Sequence, residues 1–411
     1  MDICILGAGP GGATAALHLA NAGQRCLLLD RAAFPRDKVC GDALSGKVMM
    51  ELKRLDETLP ARLGALPAQV PSWGIDFFAP NGRHLAIPFK PNYDKATDRP
   101  AGHVAKRLDF DNFLVEEVRR RPEIDFRENV DVARTERTPD GGWQLLDKAG
   151  QEIATCRLLL VANGAQSAFA RQVAGHALEP AHHCAGLRAY YRGVTGMSPD
   201  NFVELHFIEE FLPGYLWVFP LPDGQANVGV GMLSKAVAAR KINLRQRLDE
   251  ILATHPALAP RFARAERLGP VRGFGLPLGS KRRALSGPGY LLLGDAGSLI
   301  DPFSGEGISH AMVSGRHAAS WAAQAVEKAD FGPAFLKNYD QAVYNRLWQE
   351  LRLSRAMQRL LSFPSLFNMV ANRAANNPTL AQTLSAMFLD LDLRERLRQP
   401  GFYFRLLFGR R

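Results

Sequence analysis

No stretch of the 411 residues approaches the roughly 20 consecutive apolar residues a membrane-crossing helix needs, which argues against an integral membrane protein. The apolar residues at the start carry no basic leader. They run straight into Gly7 and Gly9, which reads as a strand entering a turn and not as a signal peptide. Cysteine is scarce. The five residues, Cys4, Cys26, Cys40, Cys156 and Cys184, are odd in number and show no paired spacing, so they offer no zinc site and fit a reducing cytoplasm. His182-His183 sits in a polar turn with no third ligand, so no metal is expected. Nucleic acid is not an expected partner either, since the chain has no zinc finger, RNA-binding sheet motif or basic helical repeat. Internal repeats and low-complexity tracts are also missing. A net charge of +10 is compatible with anionic lipid headgroups or a diphosphate-bearing substrate, but by itself it reads as a basic surface with no particular partner.

The first thirty residues carry the strongest positive signal. Ile3 to Leu6 reads as a buried strand, followed by Gly7-Ala8-Gly9-Pro10-Gly11-Gly12, a G-x-G-x-x-G pattern. Ala13 to Ala22 is rich in helix formers and Gly23 supplies a C-terminal cap, while Arg25 to Leu29 is a second strand ending at Asp30. Gly7 permits a tight turn, Gly9 lets backbone approach a diphosphate, and Gly12 lets helix and strand pack closely. The helix N-terminus then offers N–H groups and a positive dipole to the phosphates. Asp30, 18 residues past Gly12, is placed to accept hydrogen bonds from a ribose. This unit alone leaves FAD and NAD undecided.

A second glycine-rich region lies far downstream. Gly289 to Leu293 reads as a strand, followed by Gly294-Asp295-Ala296-Gly297, Asp301-Pro302-Phe303 and Gly305-Glu306-Gly307, and by a helical pattern from Ile308 to about Val326. An acid at such a strand end can hold the ribityl hydroxyls of a flavin. The helix entry can set its positive end near the flavin pyrimidine.

The pairing of Gly7–Gly12 with Gly294-Asp295 resembles the FAD-dependent monooxygenase and reductase superfamily. Three stretches resemble its geranylgeranyl reductase family: Lys38-Val39-Cys40-Gly41; Tyr215-Leu216-Trp217-Val218-Phe219-Pro220 with Asn227-Val228-Gly229-Val230-Gly231; and Gly294 to Ile308, with Gly297 where aromatic hydroxylases usually carry His. The resemblance covers roughly residues 1 to 330. It implies FAD contacts at Gly7, Gly9, Gly11, Gly12, Asp30, Arg31, Cys40, Gly41, Arg107, Gly164, Asp295, Pro302, Gly305, Gly307 and Ile308. Asn163 stands where the family motif usually begins with Asp, and no role is assigned to it. Cys40, Tyr215 and Trp217 are the implied catalytic and substrate-facing residues. An isolated aromatic stripe would read as core packing; beside a flavin, Tyr215, Trp217 and Phe219 on one strand face read as a cavity wall.

The implied fold class is α/β: a Rossmann-type FAD-binding domain with an inserted β-sheet substrate domain and a C-terminal helical region. The expected division assigns residues 1-72, 103-175 and 270-330 to FAD, 73-102 and 176-269 to substrate, and 331-411 to the helical region. Strands are expected over Ala185 to Gly193, Phe202 to Ile208, Tyr215 to Leu221 and Ala226 to Met232, and helix from about Lys337. The implied activity is reduction of carbon–carbon double bonds in an isoprenoid chain. A flavin monooxygenase or halogenase is the alternative, since halogenases carry a related Trp-x-Trp-x-Ile-Pro strand in which Tyr215 and Phe219 here replace two members. No second G-x-G-x-x-G follows a strand, so NAD(P)H or another external donor is expected to act transiently. The expected partner is a hydrophobic small molecule or lipid, in the cytoplasm, with peripheral contact at the inner face of a membrane also among the expectations. Arg394, Arg396, Arg398, Arg405, Arg410 and Arg411 interleave with Phe402, Tyr403, Phe404 and Phe408, which suits docking on an anionic bilayer or a final helix with a solvated Arg face.

Overall fold

The computed structural model describes residues 1–375 and 377. Strand β1 (Ile3–Leu6), helix α1 (Pro10–Asn21) and strand β2 (Cys26–Leu29) form the expected opening unit. The helix starts at Pro10, earlier than the expected Ala13, because Pro at a first helical position forfeits only an N–H that would be unpaired anyway. Gly7 takes φ +98°, and a side chain there would meet the Ala162 carbonyl oxygen at 2.6 Å. A Cβ on Gly12 would strike the Gly7 carbonyl oxygen, so the helix lies on the strand only because position 12 is glycine.

β1 and β2 sit in a six-stranded sheet ordered Ser286–Gly287, Tyr290–Leu292, Leu158–Val161, β1, β2, Ile124–Arg127. All its pairings are parallel except that of the short Ser286–Gly287 strand. Parallel strands covered on both faces read as unbroken apolar runs, hence Leu158-Leu159-Leu160-Val161. One face, with Ile3, Ile5, Leu28 and Leu160, packs on α1 and on α2 (Ile308–Lys328). The other, with Cys4, Leu6, Leu27 and Leu159, packs against Trp143 and Leu145 of a three-stranded sheet. The helices α1 and α2 touch backbone to backbone, since a Cβ on Gly315 would strike the Gly11 carbonyl oxygen.

A seven-stranded sheet lies over this unit, ordered Glu266–Pro277, His183–Arg192, Gln225–Leu233, Gly214–Leu221, Val203–His206, Gly74–Phe78, His84–Pro88. The expected middle strands appear within a few residues at their ends, the usual scatter where ladders fray. Leu216, Val218, Val228 and Val230 point outward under the helix Leu244–Thr254, and Trp217 and Phe219 point inward. That alternation separates the sheet's own core from the wall it turns toward the six-stranded sheet. The C-terminal region is helical over Pro333–Leu360 and Pro364–Ala374. The Arg394 to Arg411 expectation lies outside the described residues. No helix among the described residues is long and apolar enough to cross a membrane.

Candidate functional site

Every site residue named from the sequence except Gly12 lines one continuous cavity of about 940 Å³ between the six-stranded sheet and the inner face of the seven-stranded one. Gly12 stands behind it, holding helix to strand. At one end of the cavity no side chain caps the N-terminus of α1, so its N–H groups are left to an anion. A Cβ added to Gly9 would have only the Arg36 guanidinium, at 3.5 Å, near it; at that position the missing side chain leaves room for a ligand to reach the backbone. Asp30 closes the loop, its carboxylate accepting from the Ala8 N–H at 2.7 Å and the Ala32 N–H at 2.9 Å. Arg31 is exposed beside it at the cavity edge.

Two arginines are held from behind by a single acid. Buried Asp111 accepts from Arg107 Nε at 2.6 Å and Nη2 at 2.7 Å, and from Arg36 Nη1 at 2.7 Å. A bidentate pair of this kind fixes the Arg107 plane. Sequence reasoning missed Arg36 and the role of Asp111, although Asp111 falls in the same Asp109-Phe110-Asp111 stretch that follows Arg107.

At the other end, Asp295 follows the Tyr290–Leu292 strand and accepts from Lys38 Nζ at 2.9 Å. Asp301 folds the next turn by accepting from the N–H groups of Phe303 at 2.9 Å and Ser304 at 2.8 Å. Gly305, at φ +72°, completes that turn under the Tyr215 hydroxyl, which donates to the Ser304 carbonyl. Gly307 and Ile308 then open α2. The α2 entry, Asp295 and the Lys38–Asp42 segment therefore meet at one place.

The wall is aromatic. Tyr215, Trp217 and Phe219 follow one another at ring-centroid distances of 6.2 and 6.3 Å. Gly41 passes directly beneath: a Cβ there would lie 3.0 Å from Phe219 and 3.6 Å from Trp217 Nε1. Burial pushes the Cys40 thiol up, so it is protonated at neutral pH despite nearby Arg107. His103, also in the wall, bonds Gln69 through Nδ1 at 2.6 Å, and burial lowers it to about 4, so it is a neutral imidazole.

Asp42, which the sequence did not single out, forms a polar knot with Asn227, the first residue of the Asn227–Gly231 stretch. Asn227 Nδ2 donates to the Cys40 carbonyl at 2.8 Å and to Asp42 Oδ2 at 2.7 Å, while its Oδ1 accepts from Trp217 Nε1 at 2.9 Å. The Tyr190 hydroxyl donates to the same Asp42 oxygen at 2.8 Å. The hints in the sequence were the position of Asp42, directly after Cys40-Gly41, and of Asn227 at the head of its Asn-Val-Gly stretch. Among the described residues no group of three or more His, Cys, Asp or Glu is placed to hold a metal ion.

A family model described as FAD binding domain matches residues 1–354. The chain belongs to that family. It is an FAD-dependent oxidoreductase, and the open α1 end and the bare Gly9 backbone fit the diphosphate of FAD. It is 29% identical to a menaquinone reductase of Mycolicibacterium smegmatis, over 77% of this chain and 75% of that protein. It is 28% identical to digeranylgeranylglycerophospholipid reductase 2 of Methanopyrus kandleri, over 93% of this chain and 90% of that one. Among solved structures, a geranylgeranyl bacteriochlorophyll reductase-like protein of Thermoplasma acidophilum aligns with a TM-score of 0.79 at 22% identity, covering 96% of this chain and 98% of that one. A flavin-dependent brominase aligns with a TM-score of 0.72 at 20% identity, covering 94% and 92%. Structural likeness at such identities shows a shared fold. The FAD-type α/β fold and the family resemblance read from the motifs both stand.

Proposed function

We propose that this oxidoreductase reduces carbon–carbon double bonds in an isoprenoid chain. The observation that carries the reading is the joining, in one cavity, of an FAD cradle to an aromatic wall at Tyr215, Trp217 and Phe219, a surface suited to a long apolar chain. The names of the sequence relatives, menaquinone reductase and digeranylgeranylglycerophospholipid reductase, both denote molecules bearing isoprenoid chains, which supports the same substrate class.

Bound FAD, reduced by NAD(P)H or another external donor, would supply the hydride chemistry. The chain's residues do the rest. The N-terminus of α1, Gly9, Arg36 and Arg107 would hold the diphosphate end, Asp30 the ribose, and Asp295 with the Gly305–Ile308 entry the flavin end. The aromatic wall orients the alkene and excludes water, which confines the reactants to a productive geometry. The hydroxyl of Tyr215 is engaged by Ser304, so its part is to set the wall and not to donate a proton. The Cys40 thiol keeps its proton and faces the cavity. The scheme keeps the expected division into FAD and substrate domains as part of the proposal, although the strand Glu266–Pro277 crosses its boundary at position 270.

Anaerobic single turnover of the reduced enzyme with polyprenyl lipids tests the reading by mass spectrometry. A gain of two mass units per reduced bond is expected. A product sixteen units heavier, formed only in air, would replace the reductase with a monooxygenase.

A further inference from the structure

The corner where the two C-terminal helices meet is apolar on its outer side. Helix α3 (Pro333–Leu360) gives way to α4 (Pro364–Ala374) over residues 361–363. Phe367, Ala371 and Ala374 of α4 recur at helical spacing and are buried beside Phe77 and Leu85 of the seven-stranded sheet. Phe363, Leu366 and Met369 stand on another side of the corner, 63%, 44% and 44% exposed. Eight large apolar side chains are exposed among the described residues, and three of them fall between positions 363 and 369, which makes a patch and not scatter.

The chain that builds this patch carries charge of one sign. From Leu351 to Ala375 it has four arginines and no acid. Arg352, Arg355 and Arg359 recur at i, i+3 and i+7, which puts them on one stripe of α3 with Trp348. The Arg282 guanidinium lies 4.8 Å over that Trp348 ring and extends the stripe. Arg355 fixes it by donating to the Ser280 carbonyl at 2.6 Å. Arg352 and Arg359 are exposed and make no ion pair among the described residues. On α4, exposed Arg373 follows Met369 by one turn.

Charge separates the occupants such a face can take. A second copy of the chain in a two-fold contact would set the patch on itself, arginine against arginine. Residues 378–411 carry six arginines against three acids and bring no complementary excess. An anionic bilayer offers an apolar interior to the exposed side chains and negative headgroups to the arginines.

We propose that the α3–α4 corner docks the protein on an anionic lipid surface. Phe363, Leu366 and Met369 enter the acyl boundary, and Arg352, Arg355, Arg359 and Arg373 meet the headgroups. The cavity wall reaches the same corner at Gln358 and Leu361, and Gln358 Nε2 donates to the Pro302 carbonyl at 2.7 Å, at the flavin end. The docked face therefore lies a few residues from the apolar cavity, a short way for a lipid to pass from the bilayer to the aromatic wall. Docking stands apart from the reductase reading; only the passage of a lipid substrate rests on it.

The test sediments the full-length FAD-loaded protein with vesicles of phosphatidylcholine, alone or with phosphatidylglycerol added. The wild type should bind the anionic vesicles more strongly. The triple change Phe363→Ser, Leu366→Ser, Met369→Ser and the double change Arg352→Gln, Arg359→Gln should each weaken that binding about tenfold or more. Both should leave the melting temperature and the flavin absorbance unchanged, because the altered side chains are exposed. Should the triple variant fail to fold, Leu366→Ser alone and the arginine pair decide the matter. The triple variant should also reduce a polyprenyl lipid embedded in vesicles more slowly than the wild type, and a short isoprenoid in detergent at the wild-type rate. Equal vesicle binding by the triple variant and the wild type overturns the proposal. A loss confined to the arginine pair overturns it too, since that is the contact an acidic protein would make. A wild-type dimer in sedimentation velocity that the triple change splits assigns the face to a second copy instead. No saturated product in either lipid form, with vesicle binding lost in the variants, sinks the reductase reading and leaves the docking standing.

Discussion

Replacing Asp30 with alanine separates two jobs that the structure gives to one carboxylate. In the protein alone, Asp30 accepts from the N–H groups of Ala8 and Ala32, at 2.7 and 2.9 Å, and so braces the glycine turn. Ala8 is fully buried, and leaving its N–H unpaired should cost the FAD-free protein about 1–3 kcal/mol of stability. With FAD bound, the same carboxylate is placed to receive ribose hydroxyls. Losing a charge-assisted bond there should cost a further 1.5–3 kcal/mol, roughly a 10- to 150-fold weaker Kd. Asp30→Asn distinguishes the two: it keeps an acceptor for Ala8 and so should recover stability more than affinity. Calorimetric titration of FAD into each variant, beside thermal denaturation of the FAD-free forms, reads both quantities. An unchanged Kd in Asp30→Ala, together with a lower melting temperature, would refute the ribose role and leave Asp30 as a brace.

Cys40→Ser should slow alkene reduction more than it weakens FAD binding; equal effects on both would make Cys40 a packing residue of the cradle. Because desolvation raises the Cys40 thiol, its alkylation at neutral pH should also be slower than that of a free thiol, and fast labelling would contradict that shift. His18, His103 and His317 are each lowered to about 4 by burial, with Arg316 adding to the effect at His18 and His317. The unfolded chain binds these protons near the ordinary value and the folded one does not, so stability is present above about pH 6.5 and lost as pH falls toward 4, by roughly 3 kcal/mol per histidine. Asp42, raised to about 6, pulls the other way and offsets part of that loss. A melting temperature unchanged between neutral pH and about pH 5 would show the histidines to be accessible. Full-length protein should co-sediment with anionic liposomes more strongly than a chain ending at Leu393, and equal binding by both would remove the C-terminal docking hypothesis.

The sequence by itself determined the cofactor unit and the family, for a physical reason. A diphosphate needs backbone N–H groups within reach, and only Gly7, Gly9 and Gly12 at their spacing, between an apolar strand and a helix, let backbone come that close. The alternation of Tyr215, Trp217 and Phe219 likewise told which way one strand faces, because side-chain direction in a strand follows from period two alone. Tertiary structure decided everything that depends on residues distant in the chain. Arg36 and Arg107 act together only because Asp111 bonds both, and neither spacing nor composition marks that acid as shared. Nothing in the sequence marks Asp42, because its partners Tyr190 and Asn227 come well over a hundred residues later and only the fold closes them over it. Burial and hydrogen-bond partners, which set what a carboxyl or thiol can do at neutral pH, belong to the folded neighbourhood and leave no local pattern in the chain.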